Sequence, residues 1–211
     1  MLEEVKKYYD VKGPQVVEAL KKRRFEAWYC STAEETVAKV LELIPEKDSV
    51  AWGGSYTLNT LGIKDALRKR GQKLIDRDVV PAEMRKETMR QALLADSFLL
   101  SSNAVTEDGQ LFNIDGTGNR AATMFFGPES VIVVAGMNKV VKDMDAAYSR
   151  VRNYVAPINA KRLGMDTPCT ATGKCADCLS PDCICASMVT TRFCKPAGRI
   201  KVILVGEDLG F

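Results

Sequence analysis

The sequence contains no histidine. Without an imidazole there is no Ser-His-Asp triad, no histidine general base and no His-ligated zinc. Acid–base work then falls to Glu, Asp, Lys, Tyr or Cys, and any metal must sit on thiolates or carboxylates. An excess of one charge is also lacking: 30 Lys and Arg against 27 Asp and Glu leave a net charge of +3. So mild a balance gives no reason to expect nucleic acid, which calls for a concentrated basic face. Long apolar runs are missing too. The longest, Val131–Ala135 and Val202–Val205, are far too short to span a bilayer. The opening MLEEVKKYYD is charged and carries no apolar region of the signal-peptide kind. The expectation is a cytoplasmic protein, with no nucleic acid or membrane partner, in a compartment where thiols stay reduced.

What is present suffices for a packed core. The 211 residues, 46% of them apolar, suit one globular domain over residues 1–211. Gly13-Pro14 reads as a helix start, Phe25–Cys30 as a strand, and Ser31–Glu35 as a capping box opening a helix that ends near Ile44. Ser49–Trp52 is strand-like, a helix covers Leu58–Arg70, Lys73–Asp76 is a strand, and Pro81–Leu94 is a helix. Ser97–Ser101 and Leu111–Ile114 read as strands joined across the hairpin-type turn Glu107-Asp108-Gly109. A short helix, the apolar strand Ser130–Gly136, a long helix over Lys142–Arg162 with a break near Pro157, and the strand Ile200–Val205 complete the pattern. Helices alternating with strands apolar on both faces predict an α/β protein with a mostly parallel sheet covered on both sides. Residues 167–195, rich in Cys, Pro, Thr and Asp, break that pattern.

Six of the seven cysteines fall in this segment, spaced C-x5-C-x2-C-x4-C-x-C-x8-C from Cys169 to Cys194. Cys175-Ala-Asp-Cys178 is a knuckle that lets two thiolates converge on one metal centre, and Pro168, Gly173 and Pro181 supply turns. An all-thiolate set suits an iron–sulfur cluster or a structural zinc held by four cysteines. A single C-x2-C lacks the paired knuckles of a zinc ribbon, which favours iron–sulfur, a [4Fe–4S] centre among the options. The candidate metal ligands are Cys169, Cys175, Cys178 and Cys185, with Cys183 as substitute. Cys30, alone in a strand, is expected in the core.

Two further segments carry chemistry. In Trp52-Gly53-Gly54-Ser55-Tyr56-Thr57, a strand runs through glycines into a helix, a place where backbone N–H groups and the Ser55 and Thr57 hydroxyls can receive an anion. The bland alternative is a plain turn capped by Ser55. Residues 103–120, NAVTEDGQLFNIDGTGNR, pack polar and turn residues between apolar runs, as loops at strand ends do in ligand-binding α/β sheets. Here Arg120 can hold an anionic group, Gly116 and Gly118 allow close approach, and Asn103 and Asn119 add amides. Glu107 and Asp115 are the candidate catalytic carboxylates. Lys139 and Lys142, near the strand exit at Gly136, either face this site or are surface charge. Lys21–Arg24 and Lys161-Arg162 read as solvated helix ends.

WGGSYT, NAVTEDGQLFNIDGTGNRAA, the apolar strand with GMNKVVKD, APINAKRL and TPC…GKCADC…C together resemble the LUD-domain (lactate-utilisation) family over nearly the whole chain. The resemblance implies the NagB/RpiA/CoA-transferase-like fold, a three-layer α/β/α sandwich with its site at the strand ends, and with it self-association as a homo-oligomer. It implies a component of an iron–sulfur-linked system that oxidises L-lactate to pyruvate, with iron–sulfur electron-transfer proteins as partners. It also implies that the glycine loop binds phosphate or nucleotide groups of small metabolites. Thr106-Glu107-Asp108-Gly109 is similar at two of four positions to the turn bearing the nucleophilic Glu of CoA transferases. Asp115-Gly116 lacks the second Asp of the pentose-phosphate isomerase motif. Three functions follow as expectations: a LUD-type protein of lactate or organic-acid use that binds a small anionic metabolite; a transferase or isomerase-like enzyme with a structural zinc; or a non-catalytic binding or assembly subunit.

Overall fold

Short strands that are apolar on both faces leave the chain one economical arrangement, a parallel sheet with helices packed on either side. The computed structural model describes residues 1–211. The first half runs α1 (Glu3–Lys22), β1 (Glu26–Cys30), α2 (Ala33–Leu43), β2 (Ser49–Trp52), α3 (Tyr56–Thr60), α4 (Ile63–Lys69), β3 (Lys73–Ile75) and α5 (Arg85–Gln91). Then come β4 (Ser97–Leu100), β5 (Ala104–Thr106), β6 (Leu111–Asp115), α6 (Asn119–Phe125), β7 (Ser130–Gly136) and β8 (Val140–Val141). The chain closes with α7 (Met144–Arg150), a π-helical turn (Val151–Val155), α8 (Ala156–Arg162), α9 (Pro168–Thr172), β9 (Ser187–Thr191) and β10 (Ile200–Val205).

The main sheet has six strands in the order β1-β10-β7-β4-β2-β3, and every pairing is parallel. Strand alternation divides the core in two. Val131, Val133 and Ala135 face α1 with Val16, Val17 and Leu20. Ile132 and Val134 face the opposite layer, with Val40 of α2, Leu58 of α3, and Ile63 and Leu67 of α4. A second, four-stranded sheet, β8-β5-β6-β9, packs Ala104, Phe112 and Ile114 against Ala147 of α7 and Val151 and Val155 of the π-turn. No helix is long and apolar enough to cross a membrane.

Several elements differ from expectation. The hairpin partner of β6 is β5, not Ser97–Ser101, which lies in the main sheet as β4. The polar turn Ser101-Ser102-Asn103 separates the two, with Ser102 Oγ donating to Ala104 O at 2.7 Å. The helix of Leu58–Arg70 divides at Gly62, whose φ of 67° suits glycine. Helix α1 starts at Glu3 and passes through Pro14 rather than beginning there. Gly13 beside it lies against Tyr29 of β1, where a Cβ would come within 2.2 Å of the ring, so close packing on β1 holds the helix across the proline. Cys30 is buried in the core as expected, and Cys194 is fully buried too, its Sγ donating to Pro196 O at 3.0 Å.

Candidate functional site

At the carboxyl ends of β2, β4, β7 and β10 the loops open onto a cavity of about 290 Å³. Gly54, Ser55, Tyr56 and Thr57 follow β2; Ser101, Ser102 and Asn103 follow β4; Lys139 follows β7; Gly210 and Phe211 follow β10. Strand β6 of the second sheet adds Ile114 and Asp115, the loop beyond it Gly116 and Thr117, and the first turn of α6 Asn119 and Arg120. The glycine loop and the 103–120 segment thus meet in one cavity. Of the residues expected there, Gly54, Ser55, Thr57, Asn103, Asp115, Gly116, Asn119 and Arg120 line it.

Gly53 and Gly118 stand just behind the wall and act through the backbone. A Cβ on Gly53 would lie 2.5 Å from Arg120 Cγ, so glycine makes room for the arginine stem. Gly118, with φ of 84°, takes the left-handed conformation that turns the chain into α6. Ser55 both lines the cavity and caps α3, accepting from Leu58 N at 3.2 Å. Asn103 Oδ1 accepts from Ile114 N at 3.0 Å, and Asn103 N donates to Asn113 Oδ1 at 3.1 Å. This reciprocal pair locks β5 to β6.

Asp115 is fully engaged. Its Oδ1 accepts from Thr117 N at 3.1 Å and Gly118 N at 2.8 Å, and its Oδ2 from Arg120 N and Ala121 N, both at 3.0 Å. Four backbone donors make the carboxylate the organiser of the loop and of the start of α6. Arg120 lies beside it, Nε to Oδ2 at 3.7 Å, with 16% of its side chain exposed. Its Nη2 donates to Ile114 O at 2.5 Å. Burial lowers its pKa, an effect that Asp115 opposes; as a guanidinium it still carries its charge.

Glu107 is not brought to the cavity. The β5–β6 turn points toward α1, where Glu107 pairs with Lys12 at 2.6 Å. The neighbouring Asp108 pairs with Arg23 at 2.5 Å. The turn that resembled a nucleophile motif therefore serves to dock the second sheet on α1. Lys142 is exposed and stands outside as well.

Sequence reasoning missed two cations. Arg77, just beyond β3, lines the cavity from its edge. Arg162 does so from the rim, its Nε and Nη2 donating to Asn159 Oδ1 at 3.0 and 2.8 Å, although it ends a helix like any solvated charge. Lys139 is 4% exposed, and its Nζ donates to Thr57 Oγ1 and Ser101 Oγ, 3.0 Å each. Burial first, then Arg150 and Arg120, push Lys139 from 10.5 down to about 7. Three arginines and Lys139 thus face one side-chain carboxylate, and backbone donors already occupy both of its oxygens.

A second cavity of about 100 Å³ adjoins the first. Cys169, Cys175, Cys178 and Cys185 line it together with Cys183, so all four expected ligands and their substitute face one space. All seven cysteines are free thiols. No three His, Cys, Asp or Glu side chains are close enough to hold a single ion. Arg152 Nε donates to Cys175 Sγ at 3.0 Å, and its Nη2 to Asp177 at 2.6 Å. Burial, with the neighbouring Cys183 and Cys175, pushes the Cys185 thiol up to about 12. Strand β9 brings this segment home: it pairs antiparallel with β6, Ser187 opposite Asp115. As a result Ile184, between Cys183 and Cys185, lines both cavities.

Comparison with known proteins agrees with this architecture. Among solved structures, a DUF162 family protein from Deinococcus radiodurans aligns over 93% of this chain and 97% of its own, at 13% identity and a TM-score of 0.56, and shares the fold. Ribose 5-phosphate isomerase A from Methanocaldococcus jannaschii aligns over 61% of this chain and 64% of its own, at 15% identity and a TM-score of 0.35. No curated protein matches. The sequence itself matches the LUD domain over residues 13–205, and the chain belongs to the LUD domain family.

Proposed function

We propose that the protein acts in the oxidation of lactate or a related small organic acid, holding the acid in the cationic cavity and an iron–sulfur cluster on the adjoining cysteines. Membership of the LUD domain family supports an association with lactate utilisation in general. The observation that carries the reading further is the charge of the larger cavity: three arginines, Arg77, Arg120 and Arg162, and the part-protonated Lys139, against Asp115 as the one side-chain carboxylate. Because backbone N–H groups occupy both Asp115 oxygens, the net field there is positive and selects a small anion. Arg120 suits a carboxylate, and Thr57, Ser101 and Asn103 offer groups for a neighbouring hydroxyl or carbonyl.

The cysteine cavity fits a cluster by its donor chemistry. Five cysteines supply its soft donors among otherwise mainly apolar residues, and Arg152 donates to Cys175 Sγ, where it would offset a thiolate's charge. Cys169, Cys175, Cys178 and Cys185 would hold the cluster, with Cys183 in reserve. A bound cluster supplies one-electron transfer, and iron–sulfur partner proteins would take the electrons onward. Nothing comparable supports a transferase acting through Glu107, which lies away from the cavity in an ion pair with Lys12.

The test is anaerobic purification with iron and sulfide analysis, alongside calorimetric titration with L-lactate and pyruvate. Brown protein with broad absorbance near ~400 nm, stoichiometric iron and sulfide, and saturable binding of either acid are expected. Colourless protein with tight zinc would sink the redox role, and absence of binding by either acid would sink the metabolite assignment.

A further inference from the structure

Lys139 differs in kind from the cavity's arginines. It sits in the turn Met137–Lys139 directly after β7, buried within the wall. Its Nζ donates to two hydroxyls, Thr57 Oγ1 and Ser101 Oγ, which themselves stand 3.4 Å from Leu209 O and 3.3 Å from Ser102 O. A neutral amine has two N–H groups and one lone pair. Thr57 and Ser101 take up two N–H groups, which in the neutral amine leaves the lone pair without a partner at a residue that lines the cavity.

The surroundings favour that neutral form. The charged groups acting on Lys139, Arg150 and Arg120, are both cations. Arg150, the last residue of α7, keeps its Nε and Nη2 buried without a hydrogen-bond partner. Desolvation beside another cation is how an ordinary lysine becomes a nucleophile.

We propose that Lys139 is a nucleophile that condenses with the carbonyl carbon of a 2-oxo acid held in this cavity, forming an imine. The inference rests on the reading that the cavity takes a small organic acid, since Arg120 must hold the carboxylate while Nζ meets C2. The Nζ lone pair attacks C2 and a C–N bond forms. The carbonyl oxygen then leaves as water, carrying the two hydrogens of the amine. No electrons enter or leave, so no oxidant is needed. An imine at C2 acidifies the C–H bonds at C3 and weakens the bond to the carboxylate, chemistry that a cavity which merely holds the acid does not provide.

With Lys139 near 7, about half the amine is free at neutral pH, against roughly one in a few thousand for an exposed lysine. The full chain is incubated at pH 7 with pyruvate and cyanoborohydride, and its peptides are mapped by mass spectrometry. Pyruvate binding is measured in parallel by calorimetry without reductant. A carboxyethyl adduct is expected on Lys139 at least ~tenfold above the exposed Lys142, which serves as the reference within the same molecule. Lys139→Arg should lose that adduct and keep the Lys142 background. Pyruvate binding without a preferred adduct on Lys139 overturns the imine and leaves the acid-binding reading standing. Neither binding nor adduct overturns both.

Discussion

Asp115 and Lys139 reach the anion cavity from strand ends and are fixed there by the chain's own hydrogen bonds, four backbone donors on one and two hydroxyls on the other. The five thiols next door hang on a segment whose regular structure amounts to the five-residue α9 and the antiparallel strand β9. The first region is preorganised: its charges are held in place whatever occupies it, as electrostatic recognition requires. The second contributes soft donors with little framework of its own, so a group bound there would contribute to the order of the segment. Polarity is best placed where parallel strands end, and metal-binding chemistry is best appended where the chain has freedom to wrap.

The sharpest way to separate the two is to empty one and watch the other. Replacing Cys175 and Cys178 together by Ser should abolish iron and sulfide in anaerobically purified protein, with the helical circular dichroism of the main domain intact. Wild-type iron content in that variant would break the assignment of these ligands. Arg120→Met is the converse. Loss of charged hydrogen bonds worth about 1.5–3 kcal/mol should weaken pyruvate binding about ten- to a hundredfold with iron content unchanged. Unchanged affinity by calorimetry would remove Arg120 from the site.

A smaller effect comes with pH. Lys139 as an ammonium attracts an anion, so wild-type affinity for a non-carbonyl acid such as L-lactate should fall roughly tenfold as pH rises from 6 to 8. The fall centres on about 7, and Lys139→Met should be flat across it. Stability moves the other way. The folded pKa lies below the unfolded 10.5, so between about 7 and 10.5 the unfolded chain binds more protons and stability increases with pH. The cost of burying the charge is complete below about 7, and there Lys139→Met should be the more stable protein in urea titrations. Smallest of all, Glu107→Gln should cost about 0.5 kcal/mol of stability and leave anion binding and iron untouched, as befits a half-exposed ion pair. A large loss of binding would return Glu107 to the site.

Much of the frame is written in two strands. Ser130–Gly136 and Ile200–Val205 are apolar on both faces, which only a covered parallel sheet accommodates, so the α/β class was legible. The convergence of the glycine loop with Asn103–Arg120 was legible too, because polar turn residues crowd behind strand-like segments in both. The second sheet was not. Strands β5 and β8 have three and two residues, and β9 is polar; their pairing exists only once tertiary contacts set the register. Arg77 and Arg162 were equally hidden. One follows a strand and the other ends a helix, positions where a cation is ordinarily solvated, and only the crossover topology carries both to the same rim. Glu107 failed in the opposite sense: its neighbours resembled a motif, but the direction of a hairpin is set by what it packs against, here α1.

Ile184 carries a thermodynamic consequence. It lines both cavities, and its Cα lies 3.2 Å from where a Cβ on Gly116 would stand. Whatever settles the thiols on either side of it also settles a face of the anion site, and free-energy coupling between two sites has the same size in both directions. A metabolite resting against Ile184 would change the hold on a cysteine-bound group by the same factor with which that group changes the hold on the metabolite. One ratio, measurable from either end, describes how far the two cavities behave as a single site.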